Sequence, residues 1–116
     1  MRRVLIVEDE VLIGIVLEDI LDMLGHSVAG NAATLAEGED IAAKGDFDVA
    51  ILDVNIGSES VYPLADRIAA AGIPIVFATG SHPESLPARF AGCAVLQKPY
   101  AFAAVETAIG SLHALA

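Results

Sequence analysis

The sequence has few of the residues that characterise nucleic-acid-binding or disulfide-linked proteins. Acidic residues outnumber basic residues by 16 to 6, which gives a formal net charge of -10. Because no basic stripe is present to displace counterions from phosphates, the composition argues against nucleic-acid binding. The single cysteine, Cys93, cannot form an internal disulfide, and its apolar neighbours favour a core position over a redox role.

Long hydrophobic runs are also missing, although 55% of the 116 residues are hydrophobic. A membrane-spanning helix needs roughly 18 uncharged apolar residues, and charges or turn residues interrupt every run before that length. The N-terminal arginines and the apolar stretch after them imitate a signal peptide, but Glu8-Asp9-Glu10 ends the stretch too early for export. We therefore expect a cytoplasmic protein without membrane association, folded as one domain over residues 1–116 with no output domain.

Short apolar stretches alternate with amphipathic stretches along the chain. Strands are predicted over residues 3–7, 26–31, 48–53, 73–78 and 93–96. Helices are predicted over residues 10–24, 34–44, 59–71 and 102–115, with a short, distorted fourth helix within 81–90, where Pro83 and Pro87 interrupt the pattern. Five strand–helix units predict an α/β fold with a doubly wound, five-stranded parallel sheet. The flavodoxin-like strand order 2-1-3-4-5 fits best, since it leaves the weak second strand at an edge.

Two helices carry more detailed predictions. Thr34 and Glu37 form a Thr-x-x-Glu capping box, which predicts the start of the second helix. In the first helix, the acidic residues and Gly14 recur at four-residue spacing, which predicts an outward stripe. The residues predicted to face inward there are Leu12, Ile15, Val16, Ile20, Met23 and Leu24.

Polar side chains stand where the predicted strands end. Glu8 and Asp9 follow the first strand, Asp53 ends the third, Thr79 follows the fourth and Lys98 follows the fifth. Each residue alone has an ordinary explanation, such as a solvated turn, a helix cap or an exposed lysine. Because the carboxyl ends of parallel strands share one rim of the sheet, the fold should bring all of these side chains together.

The chemistry of these residues is mutually dependent. Two carboxylates 4 Å apart repel each other by ~4 kcal/mol at an effective dielectric constant near 20, so the cluster requires a cation. Oxygen ligands without histidine or cysteine favour a hard ion, and a site that handles phosphate suggests Mg²⁺. Asp53 could then act as a carboxylate nucleophile and form an aspartyl phosphate. Lys98 would neutralise the phosphoryl oxygens, and Thr79 would donate a hydrogen bond to one of them.

With these residues in place, the chain resembles a response-regulator receiver domain over essentially its whole length. The motifs that carry the resemblance are the acid pair after the first strand, Ile51-Leu52-Asp53, Thr79 and Lys98-Pro99. The resemblance implies that Asp9 and Asp53 bind Mg²⁺ directly, that Glu8 acts through water, and that the backbone carbonyl of Asn55 completes the protein ligands. It also implies a cis peptide bond before Pro99.

Two departures from the family pattern concern the switch that follows phosphorylation. Val95 occupies the position of an aromatic residue that often swings inward, so the usual rotamer switch is not available. The segment Phe77-Ala78-Thr79-Gly80 resembles an alphaproteobacterial branch of single-domain receivers linked to stress-signalling phosphorelays. Gly80, Ser81 and the nearby prolines predict that the loop after the fourth strand is the element that changes.

The resemblance implies a stand-alone response regulator that accepts a phosphoryl group from a histidine kinase or a histidine phosphotransfer protein. Such a protein signals by binding a downstream protein or by acting as a phosphate sink, as a monomer or weak dimer. It is not an enzyme beyond its self-catalysed phosphorylation and dephosphorylation. Two alternatives stay open, a magnesium-dependent phosphohydrolase with an aspartate nucleophile and a receiver-like scaffold that is not phosphorylated. The phosphohydrolase would normally need an acid where Asn55 stands.

Overall fold

The computed structural model describes residues 2–57, 59–80 and 86–110, and a five-stranded parallel sheet lies at their centre. The sheet strands are β1 (Arg3–Val7), β2 (Ser27–Ala32), β3 (Val49–Asp53), β6 (Ile75–Thr79) and β7 (Ala94–Gln97). A separate two-stranded hairpin is formed by β4 (Asn55–Ile56) and β5 (Glu59–Ser60). The helices are α1 (Val11–Met23), α2 (Leu35–Lys44), α3 (Tyr62–Ala70) and α4 (Phe102–Gly110).

The strand order in the sheet is β2-β1-β3-β6-β7, with every neighbouring pair parallel. Because β6 and β7 are the predicted fourth and fifth strands, this order confirms the predicted 2-1-3-4-5 topology. The central strands β3 and β6 are buried at every residue, as expected for a sheet covered on both faces. One layer of the core packs beneath α1 and α4, and the other packs beneath α2 and α3.

Thr34 caps the start of α2, as predicted, and its hydroxyl also contacts the Glu37 carboxylate. The Thr34 hydroxyl accepts a hydrogen bond from the Glu37 N–H at 3.2 Å, and α2 ends at Gly45 in the left-handed conformation with φ +67°. The fourth predicted helix is reduced, among the described residues, to a 3₁₀ turn over Ala88–Phe90, in agreement with a short and distorted helix. The remainder of that segment, residues 81–85, and the end of the last predicted helix, residues 111–116, lie outside the described residues.

The predicted orientation of α1 is wrong for most of its apolar side chains. The helix buries Gly14, Leu17, Ile20 and Leu21. Several side chains predicted to face inward are exposed instead, namely Leu12, Ile15, Val16 and Met23. Apolar residues occur nearly all round this helix, so their spacing does not identify a single inward face. Gly14, which was predicted on the outward stripe, is buried, and a methyl group there would lie 3.0 Å from the Asn31 side chain on β2.

The β4–β5 hairpin replaces the start of the predicted third helix, which begins at Tyr62 rather than at residue 59. Its tight turn includes Gly57, whose φ of +60° is readily adopted only by glycine. Strands of two residues carry too little hydrophobic pattern to be predicted from sequence. None of the described helices is long and apolar enough to cross a membrane.

Close packing of α2 on the sheet leads to a testable prediction. A Cβ atom at Gly38 would lie 3.0 Å from Val7 and 3.2 Å from Leu64, in the fully packed core. Gly38→Leu should therefore lower the free energy of unfolding by about 1–3 kcal/mol through overpacking. Urea denaturation measures the change. The control is Ala36→Leu on the exposed side of α2, which should change stability by less than ~0.5 kcal/mol. Equal stability of the two variants would contradict this packing.

Candidate functional site

The structure brings the predicted site residues to the carboxyl ends of the parallel strands. Glu8 follows β1, Asp53 is the last residue of β3, Thr79 ends β6, and Lys98 follows β7. Within the described part of the chain, the buried residues with polar or charged side chains are Glu8, Asp53 and Thr79. They are far apart in the sequence. The strand ends therefore form a polar site at the edge of an otherwise apolar core.

The Lys98 ammonium group links the site. Its Nζ atom donates to Asp53 Oδ2 at 2.6 Å and to Glu8 Oε2 at 3.0 Å. The exposed fractions of the three side chains are 10% for Lys98, 1% for Glu8 and 5% for Asp53, so these ion pairs are shielded from solvent. The Glu10 carboxylate lies farther out, 3.6 Å from the same ammonium group.

The Glu8 carboxylate is held by donors on both of its oxygens. Oε2 accepts from Lys98 and from the backbone N–H of Glu10, the latter at 3.1 Å. Oε1 accepts from the hydroxyl of Tyr100 at 3.1 Å. Sequence reasoning did not identify Tyr100. Its position two residues after Lys98 was the available signal, since a residue so close to the lysine must lie near the same rim.

Backbone N–H groups orient the other two carboxylates. The N–H of Gly57, in the hairpin turn, donates to Asp9 Oδ2 at 2.9 Å. The N–H of Asn55 donates to Asp53 Oδ1 at 3.1 Å. The unpredicted β4–β5 hairpin therefore contacts Asp9 and Asp53, and it fixes one oxygen of each.

Thr79 differs from the other buried polar residues. Its side chain is 2% exposed, and its hydroxyl oxygen has no hydrogen-bond partner among the described residues. A buried hydroxyl without a partner costs free energy, on the order of 1–3 kcal/mol. Such a group is therefore available to bond a ligand that enters the site beside Asp53.

Burial and hydrogen bonding shift the acid–base properties of the cluster. Burial raises the pKa of Glu8 to about 7, although the hydrogen bond from Lys98 opposes the shift. Burial acts to lower the pKa of Lys98, but the hydrogen bonds to Asp53 and Glu8 outweigh it and leave that pKa raised. For Asp9, burial opposes the shift, yet the Gly57 N–H and the neighbouring carboxyls leave its pKa lowered.

The donor chemistry fits a hard divalent cation. Carboxylate oxygens of Glu8, Asp9 and Glu10 lie within 4.8 Å of one another, and oxygen ligands of this kind suit Mg²⁺. The predicted ligand set contained Asp53 and Asn55 instead of Glu10. Asp53 lies close enough to affect the pKa of Asp9, and Glu10 is a further carboxylate that sequence reasoning did not assign.

The residues predicted to belong to the switch occupy separate positions. Gly80 directly follows β6 and is exposed, and the Lys98–Pro99 peptide bond is cis. Val95 is 46% exposed on the edge strand β7 and does not reach the buried cluster. Ser81 lies outside the described residues.

Comparison with known proteins identifies the family. The sequence profile of the response regulator receiver domain matches residues 4–109. The chain belongs to this family. Receiver domains act in phosphorelay signalling as phosphoacceptors rather than as enzymes, and a phosphohydrolase is not favoured.

Solved receiver structures have the same fold. The solution structure of SdrG from Sphingomonas melonis Fr1 matches with a TM-score of 0.85 and 42% identity, covering 95% of this chain and 94% of SdrG. The BeF3-activated conformation of SdrG from Pseudomonas melonis Fr1 matches with a TM-score of 0.79 and 43% identity, covering 93% and 92%. These matches are consistent with the predicted alphaproteobacterial branch.

Two curated relatives are longer proteins. The transcriptional regulatory protein PdtaR of Mycobacterium tuberculosis is 36% identical over 112 residues, which are 93% of this chain and 55% of PdtaR. The phyllosphere-induced regulator PhyR of Methylorubrum extorquens is 35% identical over 85 residues, which are 71% of this chain and 32% of PhyR. The chain thus spans about half of one relative and a third of the other.

The raised pKa of Glu8 predicts that the free energy of unfolding of the metal-free protein depends on pH. Because the folded state holds the Glu8 proton more tightly than the unfolded chain, this residue should reduce stability as pH rises from 4.5 towards 7. Glu8→Gln lacks the titrating group and escapes this loss. The free energy of unfolding of the variant minus that of wild type should therefore increase by roughly 1–3 kcal/mol between pH 5 and pH 8. Urea denaturation in the presence of a chelator measures the effect.

The matched control is Glu106→Gln at an exposed position on α4. A constant stability difference between Glu8→Gln and wild type across this pH range would contradict the assignment of a raised pKa to Glu8.

Proposed function

We propose that Asp53 is the phosphoacceptor of this receiver and takes its phosphoryl group from a phosphohistidine of a histidine kinase or phosphotransfer protein. The observation that carries the proposal is the shared Lys98 ammonium group, which lies 2.6 Å from Asp53 and 3.0 Å from Glu8 in a buried site. A cation held at this place neutralises the nucleophile before reaction and is in reach of the oxygens that Asp53 would receive.

The transfer step balances without a further reactant. A carboxylate oxygen of Asp53 attacks phosphorus and forms the P–O bond of an acyl phosphate. The P–N bond to the donor imidazole breaks, and its electron pair returns to the imidazole nitrogen. Because little other bond chemistry is needed, the protein contributes mainly positioning and charge stabilisation.

Two side chains supply that stabilisation. Lys98 can transfer one hydrogen bond from Asp53 Oδ2 to a phosphoryl oxygen. The Thr79 hydroxyl, which has no partner within the described part of the chain, can donate to another. Magnesium, when bound, supplies positive charge that offsets the negative charge of the phosphoryl group and the carboxylates. Glu8, Asp9 and Asp53, together with the carbonyl of Asn55, are the proposed protein groups that hold the ion, and Glu10 is close enough to assist.

The same residues account for self-catalysed phosphorylation from small phosphodonors and for dephosphorylation by water. Turnover on unrelated phosphate esters is not expected, because the residue two positions after Asp53 is Asn55 rather than an acid that could protonate a leaving group. The intact residue set, in which Glu8, Asp53 and Thr79 are buried, also argues against a scaffold that is never phosphorylated.

The exposed apolar side of α1 supplies a surface for the partner that delivers the phosphoryl group. We name as the α1 apolar surface the exposed side chains of Val11, Leu12, Ile15, Val16 and Met23. This surface begins immediately after the acid segment Glu8–Glu10. A partner that packs on it would bring a histidine close to the rim that contains Asp53. Exposed apolar patches of this kind are typical of protein interaction sites.

The output of the domain is proposed to be a protein contact as well. The similarity to SdrG, which extends over 94% of SdrG, supports signalling through contacts of the receiver fold itself. It would function in the cytoplasm as a monomer or weak dimer, either by binding a downstream protein or by draining phosphate from a shared kinase.

The phosphoacceptor assignment predicts a selective loss of labelling. Incubated with acetyl phosphate and Mg²⁺, the wild-type protein should gain one phosphoryl group that hydroxylamine removes, and Asp53→Asn should gain none. Intact-mass spectrometry gives the readout. The matched control is Asp48→Asn at the opposite end of the same strand segment, where the carboxylate accepts from the Arg3 N–H. Labelling of Asp53→Asn at the wild-type level would refute the assignment.

If the partner docks on the α1 apolar surface, a substitution there should impair phosphotransfer from the partner but not labelling by a small phosphodonor. Leu12 is 78% exposed, so Leu12→Asp should fold normally but slow phosphotransfer from a cognate phosphorylated kinase, by roughly tenfold or more for a central interface residue. Labelling by acetyl phosphate should be unchanged. Val95→Asp, at an exposed apolar position on β7, is the control for an added surface charge. Unimpaired kinase transfer in Leu12→Asp would exclude this surface as the docking site.

A further inference from the structure

The ring of Tyr100 is anchored in the core while its hydroxyl faces the acid cluster. Tyr100 is 8% exposed and belongs to the hydrophobic cluster beneath α1 and α4, together with Val105 and Ile109 of α4. The ring therefore has little freedom to move. Because a buried hydroxyl requires a partner, its hydrogen bond to Glu8 Oε1 at 3.1 Å is part of how this residue is accommodated.

The contacts of Glu8 divide between its two oxygens. Oε2 faces the Lys98 ammonium group and the Glu10 N–H, and Oε1 faces Tyr100. With donors on both sides, the carboxylate plane cannot rotate without breaking at least one of these bonds. Without the tyrosine hydroxyl, Oε1 would lose its donor in a buried site, and only the two bonds to Oε2 would still restrain the carboxylate.

We propose that Tyr100 is a positioning residue for the acid cluster, whose hydroxyl fixes the orientation of Glu8 and thereby sets both the placement of Lys98 and the affinity for Mg²⁺. This inference rests on the proposed function, since it concerns the same site. Partners that orient the groups around a metal typically change its affinity by about 10–100-fold. The hydrogen bond that Tyr100 makes in the cluster is with Glu8, so its effect passes through Glu8.

The test compares Tyr100→Phe with wild type by ¹H–¹⁵N NMR of the full chain. Phenylalanine keeps the ring in the core and removes only the hydroxyl. In the metal-free protein, the amide resonance of Glu10 should shift, because that N–H donates to the carboxylate that Tyr100 orients. In a Mg²⁺ titration, the dissociation constant should rise about tenfold or more. Tyr62→Phe removes the hydroxyl of the other tyrosine and should retain wild-type affinity.

The outcomes separate the possible failures. Wild-type Mg²⁺ affinity in Tyr100→Phe, with or without lower thermal stability, would show a merely structural tyrosine and would overturn the inference. An equal loss of affinity in Tyr62→Phe would overturn it too, because the effect would then be unspecific. If wild type itself does not bind Mg²⁺, the proposed function and this inference fall together.

Discussion

The ammonium group of Lys98, shared by two buried carboxylates, is the interaction on which the site depends. Without it, Glu8 and Asp53 would carry like charges in a space from which water is largely excluded. Removing one member of a buried ion pair typically costs about 3–5 kcal/mol, because the remaining charge stays uncompensated. The pKa of Glu8, raised to about 7, shows that even with Lys98 present the site retains an unfavourable burial of charge.

The parallel topology of the sheet allows this charged arrangement without placing charges elsewhere in the core. The strands β1, β3, β6 and β7 end at the same rim, so each brings a functional side chain there, while β3 and β6 remain buried along their whole length. The rigid sheet fixes the spacing between Asp53 and Lys98, and short connections add finer control. The β4–β5 hairpin orients Asp9 through the Gly57 N–H, and Tyr100 orients Glu8 from the side of the core. A reactive cluster is thus held by groups that do not themselves react.

The strand order and the principal site residues were predictable because they follow from strong, local patterns. Buried strands are continuous apolar runs, and a polar residue after each run must lie at the rim. The inward face of α1 was not predictable, since Leu12, Ile15 and Val16 are as apolar as the residues it buries. The β4–β5 hairpin has strands of two residues, which carry too little pattern to be predicted. The Tyr100 bond joins residues 92 positions apart, so the place of Tyr100 beside Lys98 indicates the rim but not its partner Glu8.

The most direct measurement is chemical mapping of the phosphorylated residue in the wild-type protein. Borohydride reduces an aspartyl phosphate to homoserine, so reduction after labelling, followed by peptide mass spectrometry, identifies the acceptor without any substitution in the site. The structure predicts homoserine at position 53 and at no other aspartate, because among the described residues Asp53 is the buried aspartate that pairs with Lys98. Homoserine at Asp9 instead, or label retained on a histidine, would contradict the account.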